Sequence, residues 1–114
     1  MKVVVFNGSP RKNGNTALCL NMVMDELKNT GIETEYIWIG MDKIQGCISC
    51  YQCAKNRDKK CGVKTDKFND YLEKMVEADG IILGSPTYFA DMTARMKALI
   101  ERAGFVSKMN GIIL

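Results

Sequence analysis

Apolar positions along the chain change their period from segment to segment, and the changes outline alternating strands and helices. Val3-Val4-Val5-Phe6 is a continuous apolar run, the pattern of a strand buried on both faces. From Thr16 to Thr30, Leu20, Val23, Met24 and Leu27 recur at helical spacing, and Gly31 supplies a left-handed stop. Cys19 shares that face and is read as core. Glu33 to Ile39, rich in β-branched and aromatic residues, predicts a second strand. Asp66 to Ala78 carries Phe68, Tyr71, Leu72, Met75 and Val76 on one stripe, the pattern of a helix. Ile81-Ile82-Leu83 reads as a buried strand ending at Gly84. Asp91 or Thr93 is placed to cap a further helix, with Met96, Leu99, Ile100 and Ala103 on its apolar face. Gly111 to Leu114 reads as a fourth strand barely begun. Strands alternating with amphipathic helices imply a parallel sheet covered on both sides, an α/β fold formed by residues 1–114 as one domain.

The connection after the first strand, Asn7-Gly8-Ser9-Pro10-Arg11-Lys12-Asn13-Gly14-Asn15-Thr16, is built to hold a phosphate. Loop N–H groups and the unpaired N–H groups of a helix start converge where the macrodipole favours negative charge. Ser9 and Thr16 add hydroxyl donors, Asn15 an amide and Arg11 a guanidinium fork. Two common phosphate loops do not fit. Five residues separate Gly8 from Gly14, where a nucleotide-triphosphate loop has four, and Asn15 replaces its lysine. The dinucleotide fingerprint requires three glycines, and this loop has two. An ordinary polar turn is the remaining alternative, although such connections usually take only about 2–6 residues.

Gly8-Ser9-Pro10-Arg11-Lys12, followed by Gly14-Asn15-Thr16, resembles the FMN phosphate loop of the NADPH-dependent FMN reductases, a flavodoxin-like family. Gly84-Ser85-Pro86-Thr87-Tyr88-Phe89 is similar to the family's loop along the flavin ring. The resemblance implies that Ser9, Arg11, Asn15 and Thr16 hold the phosphate, and that Pro86, Thr87, Tyr88 and Phe89 lie against the isoalloxazine. Aromatic residues near a strand end are also often simply core, which is the competing reading of Tyr88 and Phe89. The implied fold is a flavodoxin-like, doubly wound parallel sheet in three layers, α/β/α. In its strand order 2-1-3-4-5 the first and third strands are neighbours at the switch point, so both loops would share one crevice. The same likeness implies a chain cut short after the start of the fourth strand, without the family's next flavin-contacting loop, and pairing of subunits into a homodimer or higher homo-oligomer.

Four of the five cysteines fall at Cys47, Cys50, Cys53 and Cys61, inside an irregular segment from about residue 40 to 65. A connection that long needs a functional reason. Cysteine-only ligation at this spacing suits a [4Fe–4S] cluster; a structural Zn²⁺ on the same thiolates, disulfides, or a vacant loop are the alternatives. The spacing resembles that of the iron–sulfur flavoproteins, a branch of the same family, and by that likeness all four cysteines ligate iron. Lys55, Arg57, Lys59 and Lys60 would offset the cluster's negative charge and guide an acidic donor such as ferredoxin.

Composition narrows the remaining classes. A net charge of +3, from 16 basic and 13 acidic residues, is too mild to point to nucleic acid. No apolar run approaches the roughly 20 residues of a membrane span, and no signal-peptide pattern opens the chain, so a cytoplasmic protein is expected. Histidine is absent, which removes every mechanism that uses imidazole as base or ligand. The expected activity is that of an FMN-dependent oxidoreductase whose cluster exchanges single electrons with FMN. An NAD(P)H-dependent FMN or quinone reductase without a cluster, and a non-catalytic flavodoxin-like electron carrier, are the rival expectations. No residue is assigned a catalytic role in acid–base chemistry.

Overall fold

The computed structural model describes all residues 1–114. The first strand, β1 (Lys2–Asn7), lies at the centre of a three-stranded parallel sheet. It pairs on one side with β2 (Glu33–Trp38), Val5 opposite Tyr36, and on the other with β3 (Gly80–Gly84), Val5 opposite Ile82. The spatial order is therefore β2-β1-β3, the first three positions of the flavodoxin-like arrangement.

Alternation along β1 divides the interior. Val3 and Val5 pack with Leu20 and Met24 of α1 (Asn15–Asn29) on one face of the sheet. Val4 and Phe6 face the other way, against Phe68, Tyr71, Leu72 and Met75 of α3 (Phe68–Glu77) and Met96, Leu99, Ala103 and Val106 of α4 (Ala94–Asn110). Helices thus cover both faces, and the apolar run of β1 is buried throughout because it serves both cores. No helix is long and apolar enough to cross a membrane.

Three expectations and one competing reading are corrected. Cys19 is exposed, because the buried stripe of α1 runs through Ala17, Leu20 and Met24 and is too narrow to include it; Val23 is also outside. Residues 111–114 form no strand: α4 continues to Asn110 and stops at Gly111, whose φ of 65° is the left-handed cap that glycine favours. Ile113 and Leu114 are exposed, at the rim of an apolar groove beside β3 that Ile81, Ile100 and Ala103 also line. The segment 40–65 is not wholly irregular, since α2 (Gln52–Asn56) forms within it. Tyr88 and Phe89 are not core; both are exposed, Phe89 completely. Of the two proposed caps Thr93 is the one used, its side chain accepting from the Met96 N–H.

Candidate functional site

The loops leaving β1 and β3 meet at the carboxyl edge of the sheet. The Gly8 N–H donates to the Gly84 carbonyl at 2.8 Å, and the Thr93 hydroxyl donates to the Gly8 carbonyl at 2.8 Å. Thr93 also donates its backbone N–H to Ser85 Oγ at 2.9 Å, so the start of α4 ties the two loops together.

The β1 loop is held open by its own first residues. Asn7 is fully buried at the strand end; its Oδ1 accepts from the Ser9 N–H at 2.8 Å and its Nδ2 donates to the Tyr36 hydroxyl at 2.8 Å. Ser9 is buried, its Oγ accepts from the Arg11 N–H at 3.2 Å, and its carbonyl accepts from the Trp38 indole N–H at 2.8 Å. A Cβ on Gly40 would stand 1.7 Å from that same carbonyl oxygen, so the chain passes there only without a side chain. Arg11, Lys12 and Asn15 remain exposed, Thr16 is half-buried, and the Lys12 ammonium lies 5.5 Å over the Trp38 ring. No side chain caps the first turn of α1 and no carboxylate lies in it. Its N–H groups are left for an anion, with the Arg11 guanidinium free alongside.

Along the β3 loop, Pro86 is half-buried and Thr87 exposed. Tyr88 and Asp91 exchange backbone hydrogen bonds of 2.7 and 3.2 Å across Phe89 and Ala90, whose φ values of 46° and 65° are left-handed. Such a turn normally takes Gly or Asn, and each non-glycine residue here costs about 1–2 kcal/mol. The structure therefore holds Phe89 out at the tip against a conformational cost. Of the eight residues expected to bind FMN, six thus lie on two loops joined by hydrogen bonds, and Asn15 and Thr16 open α1 directly behind the first loop.

The four cysteines line a single pocket, together with Tyr51, Phe105, Val106 and Arg102. Ser49, Tyr51, Arg57 and Lys59 all have positive φ, reversals that fold the segment back on itself. The Ser49 N–H donates to Cys47 Sγ at 3.4 Å and an Arg102 Nη2–H to Cys61 Sγ at 3.4 Å. Burial pushes the Cys53 thiol up, with the neighbouring Cys61 and Cys47 adding to the rise against opposing backbone hydrogen bonds. No three His, Cys, Asp or Glu side chains converge closely enough to grip one metal ion. A tetrahedral Zn²⁺ site, with bonds of about 2.3 Å, requires sulfurs only about 3.8 Å apart. The four thiols share one pocket but do not stand at the spacing of a single-ion site.

Sequence reasoning passed over Asn7, Trp38, Gly40, Asp66 and Arg102. One of them carried a legible signal: Arg102 stands in the apolar stripe of α4, three residues after Leu99 and one before Ala103.

A central parallel strand, a phosphate-ready loop after it and a second loop from the neighbouring strand define an α/β flavodoxin-like protein with its site at the switch point. The chain belongs to the NADPH-dependent FMN reductase family, whose model matches residues 1–112. It is 42% identical over 103 residues to an iron-sulfur flavoprotein of Methanocaldococcus jannaschii, a match covering 90% of this chain and 52% of that protein. An iron-sulfur flavoprotein of Methanosarcina thermophila is 33% identical over 110 residues, covering 96% and 56%. The chain thus spans about half the length of the curated relatives it matches. Among solved structures it is similar in fold to RosB with a bound 8-demethyl-8-formylriboflavin-5'-phosphate intermediate, at TM-score 0.70 and 22% identity over 91% of this chain and 42% of that one. It is also similar to the NAD(P)H:quinone oxidoreductase of Methanothermobacter marburgensis, at TM-score 0.68 and 16% identity over 90% and 52%.

Proposed function

We propose that this chain is the FMN- and cluster-binding part of an iron–sulfur flavoprotein, an oxidoreductase joining a one-electron carrier to the chemistry of a flavin. The observation that carries the reading is the gathering of Cys47, Cys50, Cys53 and Cys61 around one pocket on a chain whose phosphate loop is preformed. The family and the iron-sulfur flavoproteins it resembles support the same pair of cofactors.

The FMN phosphate would be held by the Ser9 hydroxyl, the Arg11 guanidinium, the Asn15 amide, the Thr16 hydroxyl and the open first turn of α1. Pro86 and Thr87 would flank the isoalloxazine, with Tyr88 and Phe89 closing over it to restrict water. Cys47, Cys50, Cys53 and Cys61 would hold a [4Fe–4S] cluster through their thiolates. When bound, the cluster supplies one-electron exchange and FMN both one- and two-electron chemistry. Helix α4 runs from Thr93, at the flavin loops, to Arg102 at the cysteine pocket, a rise of roughly 14 Å at helical pitch. Exposed Lys55, Arg57, Lys59 and Lys60 beside that pocket suit an acidic carrier such as a ferredoxin. Exposed Phe89 and Tyr88, and the exposed Leu18 and Met22 of α1, suit pairing with a second subunit in a homo-oligomer in the cytoplasm.

Anaerobic reconstitution with iron, sulfide and FMN tests the reading, which expects four irons and four sulfides per flavin and both absorbance signatures. Flavin without iron or sulfide rejects the cluster. The family's description favours a second reading, an NAD(P)H-dependent FMN or quinone reductase whose cysteine loop stays vacant. Stopped-flow mixing decides between them: rapid flavin reduction by NADPH alone supports the second, and reduction only through ferredoxin supports the first.

A further inference from the structure

Arg102 heads the fully buried large side chains, at 1% exposure. A guanidinium in a core is costly unless its donors are used. Nη1 donates to the Gln45 carbonyl at 3.1 Å and to Asp66 Oδ2 at 2.6 Å. Nη2 donates to the Val63 carbonyl at 3.2 Å and to Cys61 Sγ at 3.4 Å. The guanidinium also stacks on Phe68, 4.2 Å from the ring centre. Gln45 and Val63 are the two ends of the segment that carries all four cysteines. Asp66 reinforces the closure, accepting from the Gln45 N–H at 3.2 Å and from the Phe68 N–H at 3.2 Å. One side chain from α4 therefore fastens both ends of the loop and touches one of its sulfurs. Loop fastening alone would require only the two carbonyl contacts. The sulfur contact places a permanent positive charge where a thiolate-bound cluster would carry negative charge.

Resting on the cluster reading above, we propose that Arg102 is a positioning residue for the cysteine site. It closes the loop so that the four thiols face one pocket before any cluster is inserted, and its charge, held against Asp66, sets the reduction potential of the group they hold. Removing the cation favours the oxidised, less negative cluster and lowers the potential; removing the Asp66 carboxylate has the opposite sign.

The test uses the full chain, reconstituted anaerobically, as wild type, Arg102→Gln, Arg102→Lys and Asp66→Asn. Iron retention against a chelator and the midpoint potential, followed by visible absorbance, are both read, with FMN affinity as the control for folding. Arg102→Gln should hold iron about 10–100-fold more weakly, with its potential shifted negative. Arg102→Lys should recover part of the potential, because it keeps the charge, but not the retention, because it loses the fork. Asp66→Asn should shift the potential positive. FMN affinity should be unchanged in all three, since Thr93, which ties the loops after β1 and β3, stands roughly 14 Å along α4 from Arg102. Unaltered iron retention in Arg102→Gln overturns the positioning role, and equal potentials in Arg102→Gln and Asp66→Asn overturn the electrostatic one. Should Arg102→Gln not fold, the signs of the Arg102→Lys and Asp66→Asn shifts decide. A wild type that takes up FMN without iron or sulfide overturns the cluster reading itself, and this inference with it.

Discussion

Thr93 Oγ1 donates a 2.8 Å hydrogen bond to the carbonyl of Gly8, across 85 residues of chain. Its oxygen also accepts the Met96 N–H that opens α4. One buried hydroxyl thus caps a helix and fixes the distance between the loops leaving β1 and β3. Thr93→Val keeps the volume and removes both contacts. It should lower Tm by about 4–8 °C per kcal/mol lost, with about 1–2 kcal/mol from the cap, and should weaken FMN binding although no ligand contact is deleted. Thr93→Ser should restore both. Thermal melts and flavin titrations of the two variants check it.

Arg11 is exposed and engaged within the loop through its backbone alone, its N–H donating to Ser9 Oγ and its carbonyl accepting from the Gly14 N–H at 3.4 Å. Arg11→Ala should therefore leave Tm unchanged while weakening FMN by about 10-fold or more, the value of one hydrogen bond to a charged group. Trp38 is the only tryptophan and donates to the Ser9 carbonyl, so quenching of its fluorescence reports binding directly.

Gly40 and Gly84 should respond differently to a methyl group. At Gly40 the added carbon meets the Ser9 backbone oxygen at 1.7 Å, and backbone cannot move without carrying the phosphate loop along. At Gly84 it meets Cδ1, Cδ2 and Cγ of buried Leu20 at 2.7, 2.9 and 2.9 Å, side-chain atoms that yield by repacking where backbone cannot. Gly40→Ala should cost about 3 kcal/mol or more and abolish FMN binding, and Gly84→Ala should cost less than half of that. Denaturant unfolding of both proteins gives the comparison.

Burial pushes the Asp66 carboxyl upward, but the Arg102 guanidinium and the N–H groups of Gln45 and Phe68 outweigh it and hold the group below its usual value of 3.8. A folded-state pKa below the unfolded one contributes stability that is complete above the unfolded value and disappears as pH falls through the folded one. The protein without cluster should therefore lose stability below about pH 4. Asp66→Asn should be less stable at neutral pH and lose less between neutral and acid pH. Urea unfolding at pH 7 and in the acid range measures the slope; parallel slopes in the two proteins reject the assignment.

The elements were legible where pattern and local chemistry agreed. β1 and α3 followed from an uninterrupted apolar run and a clean stripe, and Gly31, at φ 81°, stops α1 as its position suggested; β3 forms where its apolar run lies, but at the sheet edge it is half-buried and Leu83 is exposed. Expectations failed where tertiary contact overrode local pattern. Residues 111–114 have a strand's composition, yet no strand of this chain pairs with them. Cys19 shares helical spacing with core residues, yet the sheet face that α1 covers is only wide enough for Ala17, Leu20 and Met24.

Sequence by itself determined the chemistry available: a donor-rich loop after the first strand, four cysteines closely spaced in one segment, and no imidazole, because these are properties of residue type and spacing. Only the tertiary structure decided that Asn7, Trp38 and Gly40 frame the loop after β1 and that Arg102 fastens the cysteine segment. Those contacts join residues far apart in the chain, and their energies depend on burial and on hydrogen-bond geometry, which exist only once the helices have packed on the sheet.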